Sequence, residues 1–285
     1  MQITQLSKIL WSPYEDINKE ILLEMLTSGQ SQGFSVYKLE KDFYLTILLI
    51  LISKNFPELV FKWWTCLNKI YFDYYRLSED LDFVLILEWG RKSRKTTLEQ
   101  YKQNLSQLFF PLWFALIDQR TKYNEDTQGI FEFEYTSLID GSKDKIKVDI
   151  RIETALKKLP INKEIIAIYQ DPISDKAFFQ NHTIQVMDLD EIFAEKMRAA
   201  LTRIEPAIRD FFDIHYAKQK AFDFMNIQDL IQEKVAEVNF VYTIDQDGVF
   251  EELQRQVKTE LDPVLKDNYD FDLSEIYQFI LSHKN

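Results

Sequence analysis

The stretch LEKDFYLTILLILISKNFPELVFKWWTCLNKIYFDYYRLSEDLDF, Leu39 to Phe83, carries helix and strand signals in close succession. Its first part predicts a buried helix from about Leu39 to Asn55. This helix stops before Pro57, because a residue that precedes proline disfavours helical geometry. The ten apolar-rich residues Phe43 to Ile52 are too few to span a bilayer, which takes about 20 residues.

The second part of the stretch predicts two strands with a helix between them. Leu59 to Lys62 is a short strand candidate, and Thr65 to Tyr74 can form a helix capped by Thr65. Asp80 to Glu88 is continuously apolar after its first acids, which is typical of a central strand covered on both faces. The stretch therefore predicts a mixed α/β fold.

Further elements are predicted on both sides of this stretch. Ser12 to Leu26 has a Ser cap, a Pro in the first turn and helical apolar spacing, and Leu98 to about Arg120 is a long helix candidate. Two alternating segments, Ile130 to Ile139 and Lys145 to Glu153, are joined by DGSKD and predict a β-hairpin. Thr183 to Met187 is a further short strand.

After Met187 the sequence changes to amphipathic helices. The predicted helices are Asp188 to Arg203, Pro206 to Lys220, Ile227 to Asn239, Val249 to Leu261 and Leu273 to His283. This change predicts two domains, residues 1–187 with the sheet and residues 188–285 with helices.

Composition excludes several classes of protein. The 285 residues are 46% hydrophobic and include only 6 glycines, none spaced as in a GxGxxG or Walker loop, so those phosphate-binding loops are absent. The net charge of −12 argues against a surface that coats nucleic acid or anionic membrane. The single cysteine, Cys66, and the lack of a signal-like N-terminus predict a cytoplasmic protein without membrane contact.

Three acids are candidates for metal binding. Asp80 and Asp82 are two apart on a predicted strand, so their side chains leave the same face. A close carboxylate pair repels itself unless a cation lies between the groups, and Mg²⁺ prefers carboxylates together with substrate phosphates. Asp149 lies between two apolar residues on another strand and would face the pair if the strands adjoin. A solvent-exposed sheet face would explain the same three acids.

The quoted stretch resembles the AbiEii-type nucleotidyltransferase toxin family. Its members read EKDY, an apolar helix, FKGGTxLxK and then RxSEDLDF. Asp188 to Ala217, DLDEIFAEKMRAALTRIEPAIRDFFDIHYA, is similar to the family's AEKLRAL-like run followed by RDxxD. The resemblance implies a polymerase-beta-like nucleotidyltransferase core with a small mixed sheet and a helical C-terminal region. It also implies transfer of a nucleotidyl group from an NTP to an acceptor hydroxyl.

The resemblance also implies the roles of individual residues. Asp80, Asp82 and Asp149 would hold Mg²⁺ or Mn²⁺, and Asp149 would also activate the attacking hydroxyl. Thr65 would stand where helix amides face the triphosphate. The residues implied at the nucleotide are Lys62, Trp63, Trp64, Thr65, Ser78, Lys196 and Arg209, and those implied to complete catalysis from the helical part are Lys196, Asp210 and Asp213.

Trp63-Trp64 stands where the family has Gly-Gly. Glycine lets the backbone approach phosphates and adopt positive φ without steric cost, and two indoles would remove that freedom. The pair is open to three explanations: an engineered inactivating change, a naturally divergent or inactive member, or a site that turns the rings outward.

The partners implied are an NTP, a cognate antitoxin protein in a toxin–antitoxin or phage-defence pair, and an RNA acceptor, with the tRNA 3′ end as one acceptor. The basic segments Gly90 to Thr97 and Lys143 to Lys147 are the candidates for RNA contact, with solvated loops as the alternative. A non-catalytic binding protein of the same fold is the alternative function. A DxD glycosyltransferase is a third, which leaves the EKD, AEK and RDxxD segments unexplained.

Overall fold

The computed structural model describes residues 19–30, 33–72, 74–88, 90–172, 174–238, 241–266 and 269–284. The chain divides into two compact units, Met1–Met187 and Asp188–Asn285. Among the helices in these ranges, none combines the length and the apolar character needed to cross a membrane.

The first unit begins with helices that pack on a sheet. They are α1 (Lys19–Gln30), α2 (Val36–Asn55), α3 (Trp63–Cys66), which continues into a π-helical turn (Leu67–Tyr71), and α4 (Arg91–Phe109). Helix α2 is buried over most of its length, as its apolar sequence predicts. The predicted helix Ser12 to Leu26 overlaps α1, but its cap Ser12 lies outside the described residues.

Helix α4 differs from its prediction at both ends. It ends at Phe109 rather than near Arg120, since Pro111 lacks a backbone N–H and cannot continue an α-helix. It begins at Arg91 with Gly90 at the N-cap, so the segment Gly90 to Thr97 forms the first turns of a helix rather than a basic loop.

In the described part of the first unit, the sheet has eight strands. They are β1 (Val60–Lys62), β2 (Asp80–Ile86), β3 (Ala115–Leu116), β4 (Lys122–Asn124), β5 (Gln128–Thr136), β6 (Lys143–Glu153), β7 (Ile161–Glu164) and β8 (Thr183–Val186). Their order is β3-β5-β6-β2-β1-β8-β7, and β4 also pairs with β5. The sheet is mixed, because β2 pairs with β6 and β1 with β8 in parallel while the other pairs are antiparallel.

The central strands follow the sequence closely. Strands β5 and β6 form the predicted hairpin, and β2 lies between β1 and β6 in the middle of the sheet. The alternation of β6 buries Ile146, Val148, Ile150 and Ile152 on one face. The opposite face therefore carries the charged residues from Lys145 to Glu153.

The second unit is helical. Its helices are α5 (Leu189–Thr202), α6 (Ile208–Gln219), α7 (Gln228–Ala236), α8 (Val249–Gln256) and α9 (Leu273–Leu281), and a π-helical turn, Val257–Leu261, follows α8. Aspartate side chains cap two of them: Asp188 accepts from the Asp190 amide, and Asp272 accepts from the Glu275 amide.

Candidate active site

The three predicted carboxylates lie on neighbouring strands and on one face of the sheet. Strand β2 pairs in parallel with β6, and the register places Asp82 opposite Asp149 and Asp80 opposite Lys147. On the other side, β1 places Lys62 opposite Asp82. Lys62, Asp82 and Asp149 therefore lie side by side on three strands. We call the three acids Asp80, Asp82 and Asp149 the carboxylate row.

The carboxylate row concentrates negative charge in a buried place. Asp82 is 2% exposed, and its Oδ2 has no hydrogen-bond partner. Burial raises the pKa of Asp82 to about 7, and the charges of Asp149 and Asp80 add to this rise. Burial also raises the pKa of Asp149. An orphaned buried oxygen between like charges is the situation that a bound cation relieves.

The donor set of the carboxylate row fits a divalent metal ion. Carboxylate oxygens are ligands that Mg²⁺ prefers, and the unpartnered Oδ2 of Asp82 supplies one of them. As the side chains stand, the described residues include no group of three acidic, His or Cys side chains already converged on a common metal position. Asp80 is instead paired with Lys147, whose Nζ lies 2.7 Å from Asp80 Oδ2.

Two lysines face the carboxylate row. Burial opposes the charge of Lys147, but Asp80 and Asp82 outweigh it and raise the pKa of Lys147. Lys62 is 2% exposed, and its Nζ makes no hydrogen bond, with Glu153 Oε1 at 3.7 Å. Lys62 is thus a buried ammonium with unused donors beside the row.

The Trp63-Trp64 dipeptide lies next to Lys62. Trp63 has a φ of 62°, the left-handed region that favours glycine, and its ring centroid is 4.2 Å from Lys62 Nζ. The two half-buried indoles meet edge to face at 5.7 Å between centroids, and the Arg76 guanidinium lies 6.0 Å from the Trp64 ring. The Trp63 ring therefore covers the Lys62 ammonium.

The predicted helix start at Thr65 is wrong. Helix α3 begins at Trp63, directly after Lys62, and no side chain caps it. The buried Thr65 hydroxyl instead donates to the backbone carbonyl of Asp80, and the Ser78 hydroxyl, 2.5 Å away, donates to Thr65 because each hydroxyl has one proton. Thr65 and Ser78 fasten α3 to the start of β2, where the carboxylate row begins.

A fully buried polar network, absent from the sequence prediction, lies behind α3. Lys69 Nζ lies 2.8 Å from Asp42 Oδ1 and donates to Thr46 and Tyr74, while the Tyr169 hydroxyl donates to Asp42. Asp42 and Lys69 both have no solvent exposure. A charged residue in so apolar a helix as α2 is the signal that could have identified the network.

A glutamine that sequence reasoning missed also contacts the carboxylate row. Gln128 Nε2 donates to Asp149 Oδ2 at 2.7 Å, and Asn124 Nδ2 donates to Gln128 Oε1 at 2.8 Å. Neither residue belongs to a segment that marked the site in the sequence, because their contact with Asp149 depends on the register of β4, β5 and β6.

The predicted site residues of the second unit form their own cluster. Lys196 Nζ lies 3.1 Å from Asp210 Oδ1 and 2.7 Å from Asp213 Oδ2, and Arg203 Nη1 lies 3.0 Å from Asp210 Oδ2. Lys196, Asp210 and Asp213 are buried. Arg209 makes a different contact, since its Nε donates to the Glu260 carbonyl at 3.3 Å.

The two basic segments differ in their surroundings. Lys143 and Lys145 on β6 pair with Glu134 and Glu132 of β5, so these lysines belong to a ladder of ion pairs on the charged face of the sheet. The basic start of α4 places positive charge at a helix N-terminus, where the helix dipole disfavours it. Helix stability therefore does not explain the positive charges at the start of α4.

Comparison with known proteins places the fold. The structure is similar to the crystal structure of JHP933 from Helicobacter pylori, with a TM-score of 0.55 and 18% identity over 88% of this chain and 91% of that one. A second H. pylori structure, provisionally named a nucleotidyltransferase, gives the same TM-score and identity over 88% of this chain and 94% of its own. A comparison with curated proteins found no match.

The sequence itself matches a family. The match covers residues 48–282, and the family is described as nucleotidyl transferase AbiEii toxin, type IV toxin–antitoxin system. This range includes the carboxylate row of the first unit and the buried lysine cluster of the second. The expected family is confirmed over most of the chain, and the alternative of a DxD glycosyltransferase is not favoured. The protein is a nucleotidyltransferase and belongs to the AbiEii toxin family.

Proposed function

We propose that this protein transfers a nucleotidyl group from an NTP to an acceptor hydroxyl, using Mg²⁺ or Mn²⁺ held by Asp80, Asp82 and Asp149. The observation that carries the proposal is the carboxylate row, in which Asp82 keeps an unpartnered buried oxygen opposite Asp149. When bound, the metal ion neutralises charge that develops on the phosphate oxygens.

The proposed chemistry assigns a proton acceptor to the row. Asp149 accepts the proton of the attacking hydroxyl, whose oxygen forms a bond to the α-phosphorus while the bond to the leaving pyrophosphate breaks. Burial raises the pKa of Asp149, which favours this role because a more basic carboxylate is a better proton acceptor.

The nucleotide is proposed to lie beside α3. Lys62 offers a buried ammonium with unused donors to the phosphates, and Trp63 and Trp64 flank the same place. Since the hydroxyls of Thr65 and Ser78 are occupied, the contribution proposed for Thr65 is its backbone amide, and that for Ser78 is to hold Thr65.

The second unit is proposed to complete the site. Lys196 would exchange an aspartate oxygen for a phosphate oxygen, while Asp210 and Asp213 position it and Arg209 contacts the nucleotide. Residues 1–187 would then act as the nucleotidyltransferase domain and residues 188–285 as a helical domain that contributes to catalysis.

The proposed setting is a cytoplasmic toxin–antitoxin pair that acts in phage defence. The family description supports an antitoxin partner and an NTP substrate. The proposed acceptor is RNA, with the tRNA 3′ end as the first acceptor to test.

The test is incorporation of each labelled NTP into total RNA and into tRNA with Mg²⁺ or Mn²⁺ present. We expect transfer by the native chain or by a chain with glycine at positions 63 and 64. Asp80→Ala, introduced into whichever of these two chains is active, should abolish transfer. Glu134→Ala, an exposed acid on β5 paired with Lys143, is the matched control and should retain transfer. Equal activity of Asp80→Ala would reject the metal role.

A non-catalytic binding protein of the same fold is the second candidate. The observation that favours it is the Trp63 ring over Lys62, because an indole at 4.2 Å occupies space that a phosphate would need. Calorimetric titration with each NTP and Mg²⁺ separates the two candidates, since normal affinity in the native chain would exclude a blocked site.

A further inference from the structure

The turn between β4 and β5 brings the side-chain amides of Asn124 and Gln128 close to Asp149 of the carboxylate row. Glu125 and Asp126 have φ values of 51° and 55°, and the Thr127 amide donates to the Asn124 carbonyl at 3.0 Å. Positive φ at both central residues is the pattern of a type I′ turn, and Thr127 follows this turn as a third loop residue before β5 begins. The register of this hairpin places Asn124 opposite Gln128.

The hydrogen bonds fix which way the Gln128 amide points. A carboxylate only accepts, so the Gln128 NH₂ group must face Asp149, and its oxygen then faces the Asn124 NH₂ group. Each contact fits this single orientation, and Asn124 holds Gln128 from the side away from Asp149. The three side chains form a chain of donors that ends on Asp149 Oδ2.

A neutral donor suits this position. Asp149 shares its face with Asp80 and Asp82, and Asp80 already has Lys147 as a charged partner. A second lysine or arginine on Asp149 would compete with a bound cation, whereas an amide orients the carboxylate and stabilises its charge without adding a positive charge to the row.

We propose that Gln128 is a positioning residue for Asp149, and that Asn124 positions Gln128. The inference rests on the proposed function, because it assigns Gln128 the task of presenting Asp149 to the metal ion and to the acceptor hydroxyl. Gln128 touches neither of them itself.

The first experiment measures Mn²⁺ binding to the full chain by the electron paramagnetic resonance signal of free Mn²⁺, without NTP. Gln128→Met keeps the length of the side chain and removes its hydrogen bonds, and should weaken Mn²⁺ binding roughly tenfold, the lower end of the range for groups that orient a ligand. Gln180→Met, which removes an amide hydrogen bond elsewhere in the first unit, should leave the affinity unchanged.

A double-mutant cycle tests the chain of donors. Asn124→Ala should weaken Mn²⁺ binding less than Gln128→Met does, and Asn124→Ala combined with Gln128→Met should equal Gln128→Met alone. If the fold-changes in Mn²⁺ affinity of the two single variants multiply in the double variant, the two residues act independently and the chain of donors is wrong. Wild-type Mn²⁺ affinity in Gln128→Met, with thermal unfolding that shows a folded chain, would overturn the whole inference.

Asp149→Asn separates this inference from the proposed function. If Asp149→Asn weakens Mn²⁺ binding and Gln128→Met does not, only the role of Gln128 is wrong. If Asp149→Asn binds Mn²⁺ as the native chain does, the metal role of Asp149 and the role of Gln128 both fail. Where transfer is measurable, Gln128→Met should lower kcat and leave KM for the NTP unchanged, with the folded fraction of the chain equal to that of the native chain in thermal unfolding.

Discussion

Trp63 combines a bulky side chain with a backbone conformation that suits glycine. An L-residue in the left-handed region costs roughly 1–2 kcal/mol, and such strain persists only where the surrounding structure maintains it. The φ of 62° lies in the region that glycine favours, at one of the two positions where the family pattern of the sequence analysis has glycine. The side chain that this segment presents is an indole 4.2 Å from the Lys62 ammonium.

Replacing both indoles with glycine should therefore open the nucleotide site. We expect Trp63→Gly with Trp64→Gly to bind NTP and Mg²⁺ more tightly than the native chain in calorimetric titration, because the Lys62 ammonium loses its cover and the φ of 62° loses its strain. Any toxicity in cells should rise as well.

Trp113 provides the matched control. It also has positive φ, at 65°, but is 87% exposed in the turn after α4. Trp113→Gly should leave the NTP affinity unchanged. An NTP affinity of the double glycine variant equal to that of the native chain would show that the indoles do not obstruct the site.

Elements with a strong local pattern could be predicted from the sequence, and elements set by their neighbours could not. Helix α2, strand β2 and the β5–β6 hairpin carry clear apolar periodicity or turn signals, and each is present in the structure. The start of α3 depends on the backbone conformation of Lys62, the last residue of β1. The short strands β3 and β4 form because each of them pairs with β5. Pro111 was a local signal for the end of α4, and the prediction of a longer helix overlooked it.

Removing one partner from the buried network between α2 and the π-helical turn after α3 should destabilise the fold strongly. Burial lowers the pKa of Lys69, and Asp42 opposes that shift. We expect Lys69→Met to lower the free energy of unfolding by about 3–5 kcal/mol, because it leaves the Asp42 charge buried without its partner. Urea denaturation measures the loss.

Two further variants test the cause of this loss. Adding Asp42→Asn to Lys69→Met should restore part of the stability, because the uncompensated charge is then removed. Lys102→Met, which breaks more exposed ion pairs with Glu99 and Asp118, should cost about 1 kcal/mol or less. Equal losses in Lys69→Met and Lys102→Met would show that burial does not govern the strength of the pair.

At the scale of the whole molecule, the site could be predicted in part. The alternation of KVDIR predicts on which side Asp149 leaves its strand, but only the sheet order shows that β6 lies beside β2 and that Asp149 lies opposite Asp82. The link from Asn124 through Gln128 requires the register of two hairpins and has no sequence signal. Asp80, Asp82 and Asp149 lie in one compact unit and Lys196 in the other, so the role proposed for Lys196 rests on the family resemblance.

The charge of the molecule limits where RNA could bind. At net −12, a polyanion needs a local basic surface, and the start of α4 supplies one. We expect Arg94→Gln with Lys95→Gln to weaken RNA binding and to reduce the slope of log affinity against log salt by about 1 for each phosphate that is no longer neutralised. Fluorescence anisotropy at several salt concentrations measures both quantities.

Lys157→Gln with Lys158→Gln is the control for net charge. It removes two positive charges from the first unit outside the basic segments, so the salt dependence of RNA binding should stay as in the native chain. The same change of slope in both double variants would mean that net charge, rather than the start of α4, governs RNA binding.

The parallel pairing of β2 with β6 also has a consequence for biosynthesis. Strand β2 leaves the ribosome first, followed by α4 and the β3–β5 segments, and β6 emerges last of these. Asp80 and Asp82 are therefore synthesised before Asp149, and a nascent chain has no complete carboxylate row until the β5–β6 hairpin has emerged. Because the proposed transfer requires the complete row, we expect a nascent chain to be inactive until β6 has emerged from the ribosome.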